Sequence, residues 1–241
     1  MKGKPLTILI LAFAILSTRE GIMVNAKENG PAPQDPKNHQ YSREGSRHSF
    51  DDIEKWVERF ENPERDEWQK PDAVIRSLDL TGKEIVADIG SATGYFPVRF
   101  ARALSQGRVY GVDTEEGMVE YLNDRAKREN LSNLVSIQGE PDDPKLPEPV
   151  DIMFICDTYH HIRERTDYFS RLKGKLLPGG RLVIVDFVKG EIPVGPPDAM
   201  KLRAEEVIAE LAEAGYDLVQ RSNILPYQYF LIFRPAEAPQ L

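Results

Sequence analysis

The sequence predicts an α/β fold: a doubly wound seven-stranded sheet, mostly parallel, with an antiparallel C-terminal hairpin. Three observations predict it. From residue 85 to residue 187 short apolar runs alternate with segments of helical period. Those runs are apolar at almost every position, as strands covered on both faces require. The last two runs, residues 216–221 and 227–233, have only residues 223–226 at their junction, too few for a crossover helix, so they pair antiparallel. With 241 residues, 41% apolar and 29% charged, the composition is that of one globular domain with something appended, which excludes a collagen, a coiled coil or a disordered tail.

In chain order, Ile53, Trp56, Val57 and Phe60 fall at i, i+3, i+4 and i+7 and share one face of a short helix that Ser49 can cap. Pro71 suits a first helical turn, and Val74, Ile75 and Leu78 stripe the helix it opens. Residues 85–89 read as a strand, and residues 95–104 as a helix with Phe96, Phe100 and Ala103 on its face. Residues 109–112 form the next strand, and Met118, Leu122 and Ala126 the next helix face. Residues 134–137 and 152–155 are strands. A helix with Phe169, Leu172 and Leu176 inward is stopped by Pro178-Gly179-Gly180 before a strand at 182–187. A last helix carries Val207, Leu211 and Ala214 and ends at Gly215, ahead of the hairpin.

The beginning of the chain reads differently. Lys2 and Lys4 precede an apolar run over residues 6–16, and Val24-Asn25-Ala26 has the small residues of a cleavage site. That is a secretory leader pattern, and the run is too short for a bilayer that needs roughly twenty residues. A buried first helix or a misread start is the plainer alternative. The expected organisation is a signal peptide over 1–26, a proline-bearing linker over 27–40, an N-terminal helical cap over 41–80 and the sheet domain over 81–241. The expected location is the periplasm or the exterior, or the cytoplasm if the leader is misread.

Charge and cysteine narrow the function. A net charge of −8 without a segregated basic stretch repels a phosphate backbone, so nucleic acid is not an expected partner. The single Cys156 permits no intrachain disulfide and no thiolate cluster, and the histidines lack metal-ligand spacing, so no metal is expected. The informative stretch is Asp88-Ile89-Gly90-Ser91-Ala92-Thr93-Gly94. Here the chain leaves a buried strand, turns tightly and enters a helix, at the end of a parallel sheet where ligands sit. Small residues at 90, 92 and 94 let a ligand approach the backbone, and helix N-terminal amides favour an anionic group, although glycines also end strands for structural reasons. A nicotinamide oxidoreductase would want glycine at 92 and 95, where Ala92 and Tyr95 stand. Asp113 ends the second strand beside that turn, where a carboxylate can accept two ribose hydroxyl hydrogens; a lone aspartate there also serves as a helix cap.

Residues 85–101 followed by 109–118 resemble the first two motifs of class I S-adenosylmethionine-dependent methyltransferases, and residues 176–187 resemble the family's fifth-strand region. The likeness covers about residues 70–233. It implies S-adenosylmethionine as cofactor and a small-molecule or lipid-like acceptor. It also implies that Asp88 holds the methionine ammonium end, with Gly90, Ser91, Ala92 and Gly94 around the amino-acid moiety. Asp113 would then bind the ribose, Thr114 and Met118 would flank the adenine, and Glu140 would meet its amino group. The family's middle glycine is Ala92 here, and its Gly-Asp-Ala after the third strand is Gly139-Glu140-Pro141.

The fourth strand runs out into Cys156-Asp157-Thr158-Tyr159-His160-His161, a loop that in the resembled fold faces the sulfonium methyl. Asp157, Tyr159, His160 and His161 are the candidate catalytic residues, with Asp157 also set against the cofactor. A histidine can take a proton from the acceptor while Asp157 orients its ring, and Tyr159 can pack on the cofactor. The plainer alternative is a merely hydrogen-bonded histidine pair. Cys156 reads as a buried small hydrophobe, and residues 64–71, with Arg65, Trp68 and Gln69, as a lid. The Asn-Pro-Pro-Tyr of nitrogen methylation on nucleobases is absent where it would be expected. A binding protein that keeps the nucleoside pocket without turnover is the alternative from another class.

Overall fold

The computed structural model describes residues 53–237. The expected leader, the linker and Ser49 lie outside the described residues. Three short helices lead in: α1 (Ile53–Phe60), α2 (Arg65–Gln69) and α3 (Pro71–Arg76). Then come β1 (Ile85–Ile89), α4 (Pro97–Ala103), β2 (Arg108–Asp113), α5 (Glu116–Arg128), β3 (Leu134–Gln138) and β4 (Val150–Cys156). The chain continues through α6 (Arg165–Leu172), β5 (Leu176–Phe187), α7 (Ala204–Glu213), β6 (Tyr216–Ser222) and β7 (Gln228–Pro235).

The sheet order is β3-β2-β1-β4-β5-β7-β6. The first five strands are parallel; β7 runs antiparallel to both β5 and β6 and stands between them. The doubly wound sheet and closing hairpin are therefore as expected. Alternation along each strand divides the core into two layers. Ala87, Ile89, Ile184 and Leu231 face one way with Phe169, Val207 and Leu211 of α6 and α7. Val86, Val183 and Ile232 face the other way with Val74, Phe100 and Leu122 of α3, α4 and α5.

Two elements differ from expectation. The helix read as reaching Leu176 ends at Leu172, and residues Lys173–Lys175 form a 3-10 turn. Leu176 instead pairs with Val150 in β5, and Pro178-Gly179-Gly180 sit in an irregular stretch of that strand. Gly174 inside Lys-Gly-Lys weakens the helix there, and the cross-strand pair takes over. The other helix starts at Pro97 rather than Tyr95, which brings Ala101 and Leu104 to the core side and leaves Ala103 exposed.

The cap helix α1 is amphipathic as read, with Ile53, Trp56, Val57 and Phe60 half-buried between exposed neighbours. Ile53 lies at Gly117 near the start of α5, and just beyond α1 Glu61 accepts a hydrogen bond from Thr93 Oγ1 (2.6 Å) and pairs with Arg125 (2.7 Å). The cap is thereby pinned to the glycine turn.

Candidate active site

The turn after β1 is built by backbone conformation. Gly90 has φ +82°, a region that L residues with a β-carbon rarely adopt. A β-carbon at Gly90 would also fall within 2.8 Å of three atoms of Thr158, on the loop after β4. Both constraints act together in Gly90→Ala. We expect it to cost about 2–4 kcal/mol, a fall in melting temperature of roughly 5–15 °C, and Thr158→Gly in the same chain to restore part of the loss. Gly94, at φ +94°, packs where a β-carbon would strike Leu122 Cδ1. Ala92 keeps its side chain at φ +44°, in the left-handed region.

The amides of this turn are engaged within the protein. Gly90 and Ser91 donate to the Val112 carbonyl at 2.8 and 3.0 Å, Ala92 to Asp113 Oδ2 at 2.9 Å, and Gly94 to the Ser91 carbonyl at 2.9 Å. These four amides are therefore occupied and do not reach toward an anionic group. The Ser91 side chain also turns inward: its Oγ lies over Gly111 and has no hydrogen-bond partner among the described residues. What the turn presents is close approach and a neighbouring set of carboxylates.

Those carboxylates stand at the ends of β1, β2 and β4. Asp113 Oδ2 takes the Ala92 amide and Oδ1 takes the Glu115 amide (3.1 Å), so it joins the turn to the start of α5. Burial raises its pKa, against the pull of these amides. Asp88 is buried beneath the turn, paired in register with Gly111 and Phe154, and burial pushes its carboxyl up to about 8 even though Arg65 draws it down. Asp157 follows β4 in a left-handed conformation (φ +57°). Its Oδ2 meets Arg65 Nη2 at 3.2 Å, its Oδ1 accepts from Gln228 Nε2, and burial raises its pKa to about 7.

The remaining predicted cofactor residues divide. Thr114 is exposed past β2, and Glu140 is exposed and paired with Lys145 at 3.2 Å. Met118 is 0% exposed on the inner face of α5, so it is a packing residue without surface for an adenine. That corrects its expected role.

The loop after β4 is a 3-10 turn, Tyr159–His161, and it separates the four candidates. Tyr159 is 0% exposed; its ring stacks on Phe169 and its hydroxyl donates to Glu210 Oε2 (2.8 Å), while Arg165 grips both oxygens of that carboxylate, Oε2 at 2.6 Å and Oε1 at 2.7 Å. It belongs to the core under α6 and α7 and cannot pack on a cofactor, contrary to expectation. His160 exposes 3% of its side chain, and its Nδ1 lies 2.9 Å from both oxygens of Asp186, at the end of β5. A carboxylate only accepts, so Nδ1 carries the hydrogen, and the tautomer of the neutral ring that this pair selects has its lone pair at Nε2. Asp186 also accepts the backbone amides of His160 (3.1 Å) and Phe187 (2.8 Å). The ring is therefore oriented by Asp186, and the expected orientation by Asp157 is corrected. His161 is exposed, its ring centroid 4.1 Å from that of His160.

The segment read as a lid is α2, and it lies across these strand ends. Arg65 reaches Asp157; the buried Gln69 donates to Cys156 Sγ (3.4 Å) and to Gln228 Oε1; Trp68 packs 5.8 Å from Phe187. Cys156 is buried, and burial holds its thiol protonated, well above the ordinary value. Gln228 and Asp186 were not singled out in the sequence. Asp186 ends an apolar strand just as Asp113 does, and the same rule finds it. Gln228 carries no such signal.

Among the described residues no group of histidine, cysteine, aspartate or glutamate is placed to hold a metal ion, and no helix is long and apolar enough to cross a membrane. The side chains at the strand ends suit S-adenosylmethionine by their chemistry. Asp88, Asp113 and Asp157 supply acceptor oxygens, and negative charge where they ionise, to a ligand whose recognised groups are hydroxyls, an ammonium and a sulfonium, all donors or cations.

Comparison with known proteins bears on the same residues. The family described as Methyltransferase domain matches residues 80–225, more than half of the chain. The chain is 28% identical over 171 residues to a 27-O-demethylrifamycin SV methyltransferase of Amycolatopsis mediterranei, covering 65% of this chain but only 62% of that relative. The crystal structure of a SAM dependent methyltransferase from Aquifex aeolicus superposes with a TM-score of 0.70 at 26% identity, over 76% of this chain and 97% of that one. The [4+2]-cyclase SpnF shares the fold at a TM-score of 0.58 and 17% identity, over 70% of this chain and 82% of its own, so fold alone does not settle the reaction. With the family matched from β1 through β6 and the glycine turn seated in the expected sheet, the chain belongs to the class I S-adenosylmethionine-dependent methyltransferases.

Proposed function

We propose that this protein transfers a methyl group from S-adenosylmethionine to a small-molecule or lipid-like acceptor by in-line displacement. The observation that carries the reading is the meeting of two groups at adjacent strand ends. One is the carboxylate set of Asp88, Asp113 and Asp157 around the glycine turn; the other is the His160–Asp186 pair at the ends of β4 and β5. A leaving thioether takes no proton, so the protein's part is to bring the two reactants together and to place charge. The acceptor's hydroxyl or thiol does lose a proton. His160 Nε2 is suited to receive it, with Asp186 fixing the tautomer. The similarity to the rifamycin-type relative supports a small acceptor, and the net charge of −8 supports one other than nucleic acid. Export belongs to the same proposal and rests on the leader pattern of residues 1–26.

A cofactor-binding protein without turnover is the second reading. The observation in its favour is that α2 closes the strand ends and Tyr159 is turned into the core. One experiment separates the two. Methyl-labelled cofactor is offered with a panel of phenols, thiols and amphipathic hydroxyls, and turnover of any acceptor excludes silent binding. In that assay His160→Gln should lower kcat about 10²–10³-fold while the cofactor Kd stays within about twofold. Equal turnover by His160→Gln removes the histidine from the chemistry.

A further inference from the structure

Helix α2 brings a cation to the carboxylates. The Arg65 guanidinium is 3.2 Å from Asp157 Oδ2 and lies 3.8 Å from the centre of the Tyr95 ring, just past Gly94. It therefore bridges the mouth between the turn after β1 and the turn after β4. The arm is held from both ends: Nη1 donates to the Phe60 carbonyl (3.1 Å) and Nε to Gln69 Oε1 (3.2 Å), while Gln69 reaches Gln228, which donates to Asp157. The Arg65 charge acts on Asp88 as well, drawing its carboxyl downward against burial.

We propose that Arg65 is a tethered substitute for the cofactor's sulfonium: the Asp157 charge makes the site prefer S-adenosylmethionine over the demethylated product, and the pair with Arg65 holds that preference down so that the product is not excluded. The proposal rests on the reading of this turn as the cofactor site. The two ligands share nucleoside, ammonium and carboxylate and differ by one methyl and one positive charge. A sulfonium entering beside Asp157 replaces the guanidinium it displaces. A thioether brings no charge, so with product in place the carboxylate draws Arg65 back and α2 returns over the strand ends. Arg65 is in this sense a positioning and selecting residue, acting through Asp157 rather than on the reacting atoms.

Calorimetric titration of both ligands into wild type, Arg65→Gln, Arg65→Lys and Asp157→Asn tests this. In Arg65→Gln the unpaired carboxylates should bind S-adenosylmethionine about tenfold more tightly and the product within about twofold of wild type, so the ratio of the two dissociation constants widens about five- to tenfold. Arg65→Lys, which keeps the charge, should hold the wild-type ratio within about twofold, and Asp157→Asn should narrow it about tenfold. A merely structural Arg65 would leave the ratio unchanged in Arg65→Gln, and that result overturns the proposal. Equal weakening of both ligands in Arg65→Gln also overturns it, since Arg65 would then be gripping their common carboxylate. If Arg65→Gln fails to fold, Asp157→Asn breaks the same pair from the other side and decides alone. If neither ligand binds the wild-type protein, the cofactor site itself is misassigned and the proposal falls with it.

Discussion

Replacing Asp88 by asparagine is expected to make the protein more stable at pH 8 and a poorer binder of its cofactor. The carboxyl ionises near 3.8 in an unfolded chain and about 8 in the folded one. Between those values the native state holds a proton that the unfolded state has lost, so stability declines as pH rises from about 4 to about 8. Below that window the group costs nothing, and above it the cost is complete, on the order of a few kcal/mol. Asparagine cannot ionise. The melting temperature of Asp88→Asn should therefore exceed that of wild type at both pH 8 and pH 5, and by about three times as much at pH 8 as at pH 5. Asp157, raised to about 7 by its own burial, slopes stability in the same direction. In the same variant the affinity for S-adenosylmethionine at pH 8 should drop at least about tenfold, since the carboxyl that ionises toward a bound cation has gone. Thermal melts at the two pH values and one titration suffice. An equal melting shift at both would mean that the folded protein does not hold the Asp88 proton above pH 5, so that its pKa is not raised.

The second large effect is expected at Asp113. Its two oxygens already accept the amides of Ala92 and Glu115, and each keeps a further lone pair for a hydroxyl. Asparagine at 113 presents one acceptor and one donor. One backbone amide then faces an amide nitrogen, at a cost of about 1–3 kcal/mol in stability, and one ribose hydroxyl loses its acceptor. Cofactor affinity should fall about 100-fold. A cofactor analogue lacking both ribose hydroxyls should bind wild type and Asp113→Asn within about threefold of each other. Should the analogue lose as much affinity to the substitution as the cofactor does, the ribose is not what Asp113 holds.

Local signals carried much of this reading. Apolar runs marked the strands because strands covered on both faces leave no polar alternation. The turn after β1 was legible because its small residues and two strand-end aspartates are close in sequence. Asp157, Arg65, Gln69 and Gln228 form one network in space, yet Arg65 and Asp157 are 92 residues apart and Gln69 and Gln228 are 159 apart. No periodicity encodes such a meeting. Arg65 and Gln69 read as part of a lid and Asp157 as a catalytic candidate, but nothing in the sequence joins them, and Gln228 carries no signal. Tyr159 and His160 are neighbours that a 3-10 turn sends to opposite tasks, one into the core at Glu210 and one to Asp186. Sequence adjacency grouped them, whereas the tight turn divides them. Leu176 reads as a helix face because a leucine fits either period, and cross-strand pairing with Val150 decides it for the strand.

The position of β7 in the sheet has a consequence for biogenesis. β6 has no seat beside β5 and joins only through β7, so the edge formed by the long fifth strand stays open until residues 228–235 have been synthesised. The same stretch begins with Gln228, the amide that steadies Asp157 and Gln69. A nascent chain halted before it would carry the glycine turn and Asp113 but lack that brace, with a row of unpaired backbone groups open to other strands. Maturation of the pocket and concealment of an aggregation-prone border are thus one late folding event, which links ligand competence to completion of the sheet.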